Sequence, residues 1–137
     1  PVLSFEGQFD RIDRAGINPR PKRQIPIWIG GHSEVAYERG ARLGDGFIFA
    51  GTGQIGVEAL ERVRYHLRAL GRSEENYGSE LLTLFAQNQQ DAADYLRQFR
   101  DAGGTHGSIR TTDKGLGSNI DAHIDFMAET KRLYDAG

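Results

Sequence analysis

Ile25-Pro26-Ile27-Trp28-Ile29-Gly30-Gly31-His32-Ser33-Glu34 is the stretch that decides how the chain is read. Residues 25–29 form an apolar run rich in β-branched side chains, the composition of a buried strand. The run stops at two glycines. Ser33 then stands where a helix N-cap belongs, with Glu34 in the first turn. The helix predicted over 33–43 carries Arg39 and Arg42 near its end and stops at Gly44. A strand thus passes through a tight turn into a helix, and the rest of the chain repeats that order.

Gly46-Phe47-Ile48-Phe49-Ala50 is a second strand. Val57, Leu60, Val63, Leu67 and Leu70 follow at helical spacing, and Gly71 ends that helix. Residues 80–86 make a third strand, apolar on both faces as a covered parallel strand should be. Ala92, Leu96 and Phe99 mark a third helix, ended by Gly103-Gly104. Residues 107–111 form a short fourth strand, and Ile120, Ile124, Met127 and Tyr134 a fourth helix. Upstream, residues 2–5 and 8–12 flank Glu6-Gly7 as a hairpin or extended arm, followed by the Pro-rich link Asn18-Pro19-Arg20-Pro21-Lys22-Arg23. The expected division is therefore an arm and link over 1–24 and four strand–helix units over 25–137. Strict alternation implies an α/β fold with a parallel sheet. Each unit is near the ~30 residues of one step in a (β/α)8 barrel, and the whole is about half of the ~250 residues such a barrel needs. An open, doubly wound four-stranded sheet is the competing architecture.

The chain has 137 residues, 38% of them apolar and 26% charged, which is the balance of a folded soluble domain rather than a disordered one. A net charge of −2 supplies no basic field for nucleic acid. The basic cluster Arg11, Arg14, Arg20, Lys22 and Arg23 is interleaved with Asp10 and Asp13 and reads as a solvated arm. The absence of cysteine excludes disulfides, zinc knuckles, iron–sulfur clusters and thiol nucleophiles. No apolar run approaches the ~18 residues of a membrane span, and no signal-peptide pattern is present, so the expected location is the cytoplasm. Glycine, at 18 residues, is about twice its usual ~7%. The opening Pro1-Val2-Leu3 reads as if taken from something longer.

Three stretches could carry chemistry. In Gly30-Gly31-His32-Ser33, two glycines after a strand let a ligand approach the backbone. The free amides and dipole of the following helix point at the same place, an anion site for a phosphate group. The plain alternative is a tight turn with a serine cap. No Gly-Lys-Ser/Thr follows, which rejects a Walker loop. Gly51-Thr52-Gly53-Gln54-Ile55-Gly56 matches the dinucleotide fingerprint, but the third strand ends Leu84-Phe85-Ala86-Gln87 without the acidic residue that holds a ribose. A flexible strand–helix loop is the better reading. Arg110 and Lys114, after the fourth strand, could meet an anion or could be solvated loop charges. His66 and His123 have no metal-ligand spacing to a second ligand, and nothing pairs Asp45, Asp91 or Asp113, so no metal site is expected.

Pro26-Ile27-Trp28-Ile29-Gly30-Gly31-His32-Ser33-Glu34 followed by Ala41-Arg42-Leu43-Gly44-Asp45-Gly46-Phe47 resembles the signature of luciferase-like flavin- or deazaflavin-dependent oxidoreductases. Phe5-Glu6-Gly7-Gln8-Phe9, Ala102-Gly103-Gly104-Thr105-His106 and Asp121-Ala122-His123-Ile124-Asp125-Phe126 are similar to other parts of that family. The branch resembled most is the one using coenzyme F-420, a deazaflavin hydride carrier, with FMN as the alternative cofactor.

The resemblance implies the C-terminal half of a (β/α)8 TIM barrel: its last four βα units, preceded by a hairpin-like insertion. It implies an oxidoreductase or monooxygenase whose cofactor phosphate is bound by Gly30, Gly31, His32 and Ser33, with Val35 and Ala36 close by. Ala50, Gly51, Thr52 and Gly53, together with Arg110, would border the substrate pocket. The sugar-phosphate dehydrogenase branch carries Thr and Lys where Ala50 and Gly53 stand, which speaks against glucose 6-phosphate as substrate. The family's acid–base residues lie mostly in the first half of the barrel, so no catalytic residue is assigned. The implied partners are a small-molecule substrate, the N-terminal half of the barrel and a second copy in a homodimer or higher oligomer. A non-catalytic half-barrel acting as an assembly unit is the alternative function, and a Rossmann-like dinucleotide domain a weaker one.

Overall fold

The computed structural model describes residues 2–16 and 18–137; Pro1 and Ile17, both within the expected arm and link, lie outside the described residues. The chain forms a two-stranded antiparallel sheet from β1 (Leu3–Glu6) and β2 (Arg11–Ala15), then a four-stranded parallel sheet with helices between its strands. The order is β3 (Trp28–Gly30), α1 (Glu34–Leu43), β4 (Gly46–Ala50), α2 (Gly53–Ala69), β5 (Gly78–Leu82), α3 (Gln89–Asp101), β6 (His106–Ser108) and α4 (Ile120–Asp135).

The strands lie in sequence order, β3-β4-β5-β6, all parallel. A doubly wound sheet reverses its strand order at a switch point and carries helices on both faces; this one does neither. Side chains alternate along a strand, so each has a helix side and an open side. On the helix side, Phe47, Phe49 and Leu81 join Leu60, Val63 and Leu67 of α2 and Phe99 of α3 in one buried core, with Ile29 and Tyr37 packed against it. On the open side, Ile48 is 37% exposed, and Trp28, Glu80 and Leu82 are half-buried.

Each helix begins on a side-chain cap: Ser33, Thr52, Asn88 and Asn119. The helix ends are tied to their neighbours by arginines that donate to carbonyls in or just after the last turn. Arg72 reaches Ala41 of α1 (2.5 Å), Arg64 reaches Ala102 and Gly103 after α3 (2.8 and 3.1 Å), and Arg97 reaches Leu133 of α4 (2.5 Å). A guanidinium there meets both an unsatisfied carbonyl and the negative end of a helix dipole.

Several expected boundaries shift. The strand expected over 25–29 starts at Trp28. Pro26 has no amide to donate to a ladder, and the Ile27 amide donates to the Asp45 carboxylate (2.9 Å) instead. The strand expected over 80–86 runs Gly78–Leu82, because the chain folds back at once, with Leu84 donating to Leu82 (2.7 Å). It is covered by helices on one face and not on both. The fourth strand is His106–Ser108 rather than 107–111. The helix expected from Val57 begins four residues earlier, at Gly53.

Tyr77, just before β5, is 8% exposed, and its hydroxyl is buried without a hydrogen-bond partner among the described residues. Burial pushes the phenol up to about 12. The folded protein then keeps a proton that the unfolded chain releases near its ordinary value of 10.0, so stability falls as pH rises from 10 towards 12. Tyr77→Phe keeps the ring and removes an unpaired buried donor, so it should raise stability at pH 8 by about 1 kcal/mol. It should also flatten the alkaline decline in urea unfolding curves measured across that range.

Candidate functional site

The parallel register brings the C-terminal ends of β3, β4, β5 and β6 to one edge of the sheet. The turns that leave this edge are 31–33, 51–52, 83–88 and 109–119. They are stitched together there. Gly51 donates to the Leu82 carbonyl (3.2 Å), Thr83 to the Ser108 carbonyl (3.0 Å), and Arg110 to the Thr83 hydroxyl (3.4 Å). The three stretches singled out in the sequence therefore share one rim.

At the first turn Gly31 has φ +149°, a backbone state that side chains rarely adopt, and a Cβ there would lie 2.6 Å from that of Ala36. Ser33 is extended; its Oγ accepts from the Ala36 amide (3.3 Å) and its carbonyl from Tyr37 (3.0 Å). The amides of Glu34 and Val35 have no acceptor within a helix. They sit at the positive end of α1, where an anion is stabilised. Gly30, His32, Ser33 and Val35 are exposed around them. Ala36 differs from the expectation in one respect: its side chain is 5% exposed and its amide is taken by Ser33, so it supports the turn from beneath.

Glu34 would oppose an anion at this place were its charge free. It is not. Arg62 of α2 clasps it with two nitrogens (3.0 and 2.8 Å), and His66 Nε2 lies 2.6 Å from Oε1. The hydrogen bond from Arg62, then that from His66, holds the Glu34 carboxyl below the usual carboxylate range. In the sequence His66 is marked only by the lack of a metal-ligand spacing to a second ligand. Its partner lies 32 residues away, and no local pattern announces the pairing.

The second turn serves another purpose. Thr52 caps α2, its Oγ1 accepting from Ile55 (3.3 Å). Gly53, the glycine that would have to face a pyrophosphate in a dinucleotide fingerprint, is buried against α3, where a Cβ would lie 2.3 Å from Gln98 Oε1 and 2.9 Å from Tyr95 Cα. Gly56 faces Leu81 of β5. This glycine motif seats a helix; it does not open onto a ligand, and residues 53–56 are helix rather than flexible loop. Ala50 and Gly51 border the rim, Ala50 half-buried and Gly51 buried.

Arg110 is half-buried and engaged, donating to Thr112 Oγ1 (2.7 Å) and to the Asp113 carboxylate. Lys114 donates to the Ala86 carbonyl. These cations brace the last loop. His123 does the same from α4, its Nδ1 beside Thr111 Oγ1 (2.8 Å) and its Nε2 donating to the Gly117 carbonyl (3.1 Å). Among the described residues no group of three His, Cys, Asp or Glu is placed to hold a metal ion, and no helix is long and apolar enough to cross a membrane.

The profile of the luciferase-like monooxygenase family matches residues 1–136. The chain belongs to that family. A stretch of 46 residues is 41% identical to an F-420-dependent glucose-6-phosphate dehydrogenase of Nakamurella multipartita, covering 34% of this chain and 14% of that protein. Another similarity, 39% over 49 residues, is to an uncharacterised protein of Mycobacterium tuberculosis, covering 36% of this chain and 17% of that one. The solved structure of an F-420-dependent secondary alcohol dehydrogenase, in complex with an F-420–acetone adduct, superposes with a TM-score of 0.67 at 11% identity. It matches 97% of this chain and 56% of its own, a likeness of fold. The chain thus spans just over half of that structure, and the stretches aligned to the curated relatives cover less than a fifth of their length.

The Glu34 clasp makes a checkable claim. A carboxyl held low in the fold lends stability above its ordinary value of 4.5, and that contribution is lost as pH falls through the folded value. Glu34→Gln should therefore lose less stability than the parent chain as pH falls below 4.5. Denaturation midpoints that fall equally in both would mean that the clasp does not couple to folding.

Proposed function

We propose that this family member is an F-420-dependent oxidoreductase and that these residues form the barrel half that holds the cofactor's phosphate-bearing tail. The observation that carries the reading is the turn at the end of β3. It combines a glycine that admits no side chain, the Glu34 and Val35 amides, which have no acceptor within their helix, and a neighbouring carboxylate already paired with Arg62 and His66. A phosphate group fits that donor set. The F-420-dependent relatives support the choice of cofactor, with FMN as the rival within the same family.

The open side of the sheet supports the half-barrel reading. Its strands run in sequence order with the helix core on one side, which is the arrangement of consecutive (β/α)8 units. A complete barrel would set further strands opposite Ile48, Glu80 and Leu82 and enclose the space between. Bound there, a deazaflavin supplies hydride transfer; the protein's part is to fix its position and surroundings. Here that part falls to Gly30, Gly31 and the amides of Glu34 and Val35 at the tail, and to Ala50 and Gly51 along the rim. The catalytic acid–base groups are assigned to the remainder of the barrel.

In the complete protein, Gly31→Val should abolish F-420 binding in fluorescence titrations, because its Cβ would lie 2.6 Å from that of Ala36 and displace the turn that aims the amides. His32→Ala should change affinity less than about threefold, because amides and not the imidazole make the contact. Circular dichroism separates loss of the site from loss of the fold. Tight binding by a folded Gly31→Val variant, or tighter binding of FMN than of F-420 by the parent, would defeat the assignment.

A further inference from the structure

The open side of the sheet carries one charged group in its middle. Glu80 lies at the level of Gly30 and Ile48 in the strand register, one step beneath the rim. Its neighbours along β5, Ser79 and Leu81, are buried on the helix side, so Glu80 points to the open side. Ser108 of β6 donates its hydroxyl to Glu80 Oε1 and fixes the carboxylate.

The half of this face nearer the strand starts is filled. The Trp28 indole lies across Gly46 and Gly78, where Cβ atoms would come within 2.6 and 2.0 Å of it, and meets the edge of His106 at 5.1 Å. His106, which stands opposite Glu80 on β6, is tied to its own surroundings: its Nδ1 pairs with Thr105 Oγ1 at 2.8 Å. No arginine, lysine or histidine makes an ion pair with Glu80 among the described residues. Arg110 and Lys114, the cations nearest in sequence on the same rim, are held by Asp113 and by the Ala86 carbonyl. Ile48 and Leu82 complete an apolar setting around the carboxylate.

We propose that Glu80 sets the charge of the substrate. A fixed carboxylate with no cation paired to it among the described residues accepts a hydrogen bond from a hydroxyl and repels a phosphate or carboxylate. The substrate selected is uncharged and hydroxyl-bearing. This rests on the half-barrel reading, since only a complete barrel turns the open face into a pocket, but it does not depend on which cofactor occupies the rim. It also separates this chain from a phosphorylated-sugar dehydrogenase by a residue that acts on the substrate's charge directly.

The test uses the complete, cofactor-loaded protein titrated calorimetrically with glucose and with glucose 6-phosphate, which differ by one phosphate. The parent should bind the phosphate ester no more tightly than the neutral sugar. Glu80→Gln should raise affinity for the ester about tenfold, and Glu80→Lys further, since one charge within a partly shielded pocket is worth at least that much. Neither should improve binding of glucose. Ser108→Ala, which frees the carboxylate to turn away, should move in the same direction by less. Ester affinity unchanged in a folded Glu80→Lys protein, or an ester preferred by the parent, overturns the proposal. F-420 titrations of the same preparations keep the two readings apart. Loss of F-420 binding by the parent counts against the cofactor assignment, and the sugar comparison can still be made on cofactor-free protein.

Discussion

The row of aromatic rings from Tyr37 through Phe47 and Phe49 to Phe99 is the constraint on which the rest of the structure depends. Successive centroids are 5.6, 4.9 and 5.7 Å apart, and the row runs from α1 across β4 to α3. Edge-on and tilted contacts of this kind add about 0.5–1.5 kcal/mol each to the burial of the rings themselves. More important is the direction they impose. Phe47 and Phe49 occupy alternate positions of a five-residue strand, so committing both to the helix side turns Gly46, Ile48 and Ala50 to the other. Parallel pairing carries that choice to β3 and β5. A one-residue slip would bury Ile48 and put two phenylalanines in the open. The sidedness of the whole sheet is thus settled in its second strand.

From that sidedness follows the division of labour between the two ends of the strands. At their starts, the open face is plugged by Trp28 over two glycines. Towards their ends Ile48, Glu80 and Leu82 line it, and the four turns that carry glycines, caps and braced cations gather there. Electrostatics follow the same division. Arg64, Arg72 and Arg97 are spent on carbonyls at the ends of neighbouring helices, and Arg110 on the rim is held by a carboxylate, so what the first turn itself offers an anion is the dipole of α1. A site that relies on amides in this way places little demand on side-chain identity, whereas it tolerates almost no change in the backbone at Gly31.

What could be read from sequence follows the range of the interactions concerned. Helix caps and terminators act over a few residues. Ser33 was legible for that reason, as was Gly44, whose amide closes α1 on Gly40 (2.9 Å). Strand limits were not, because an apolar run says nothing of where pairing stops. Ile25 and Ile27 look like strand residues and are 63% and 59% exposed beside a proline that cannot join the ladder. The clasp of Glu34 by Arg62 and His66 spans 28 and 32 residues, beyond any periodicity. Arg110 is different: Asp113 stands three residues on, so its engagement could have been anticipated from spacing alone. Glu80 stands at the head of the apolar run 80–86, and only the sheet tells which face it occupies.

The two glycine-rich turns show why composition alone could not separate a ligand site from a packing site. Both follow a strand, both precede a capped helix, and both lie on the same rim. They differ in what a Cβ would strike. At Gly53 it would strike α3, so the glycine is demanded by the fold's own interior. At Gly31 it would strike only the first turn of the helix it introduces, and at the neighbouring Gly30 it would merely touch the Ile48 carbonyl at 3.4 Å. The interior of the protein therefore asks for small residues at the second turn, while at the first the demand arises from backbone conformation and from the open space above it. A glycine demanded by backbone conformation, beside amides that a helix leaves without an internal acceptor, is the physical difference between the turn proposed to receive a ligand and the turn that seats a helix.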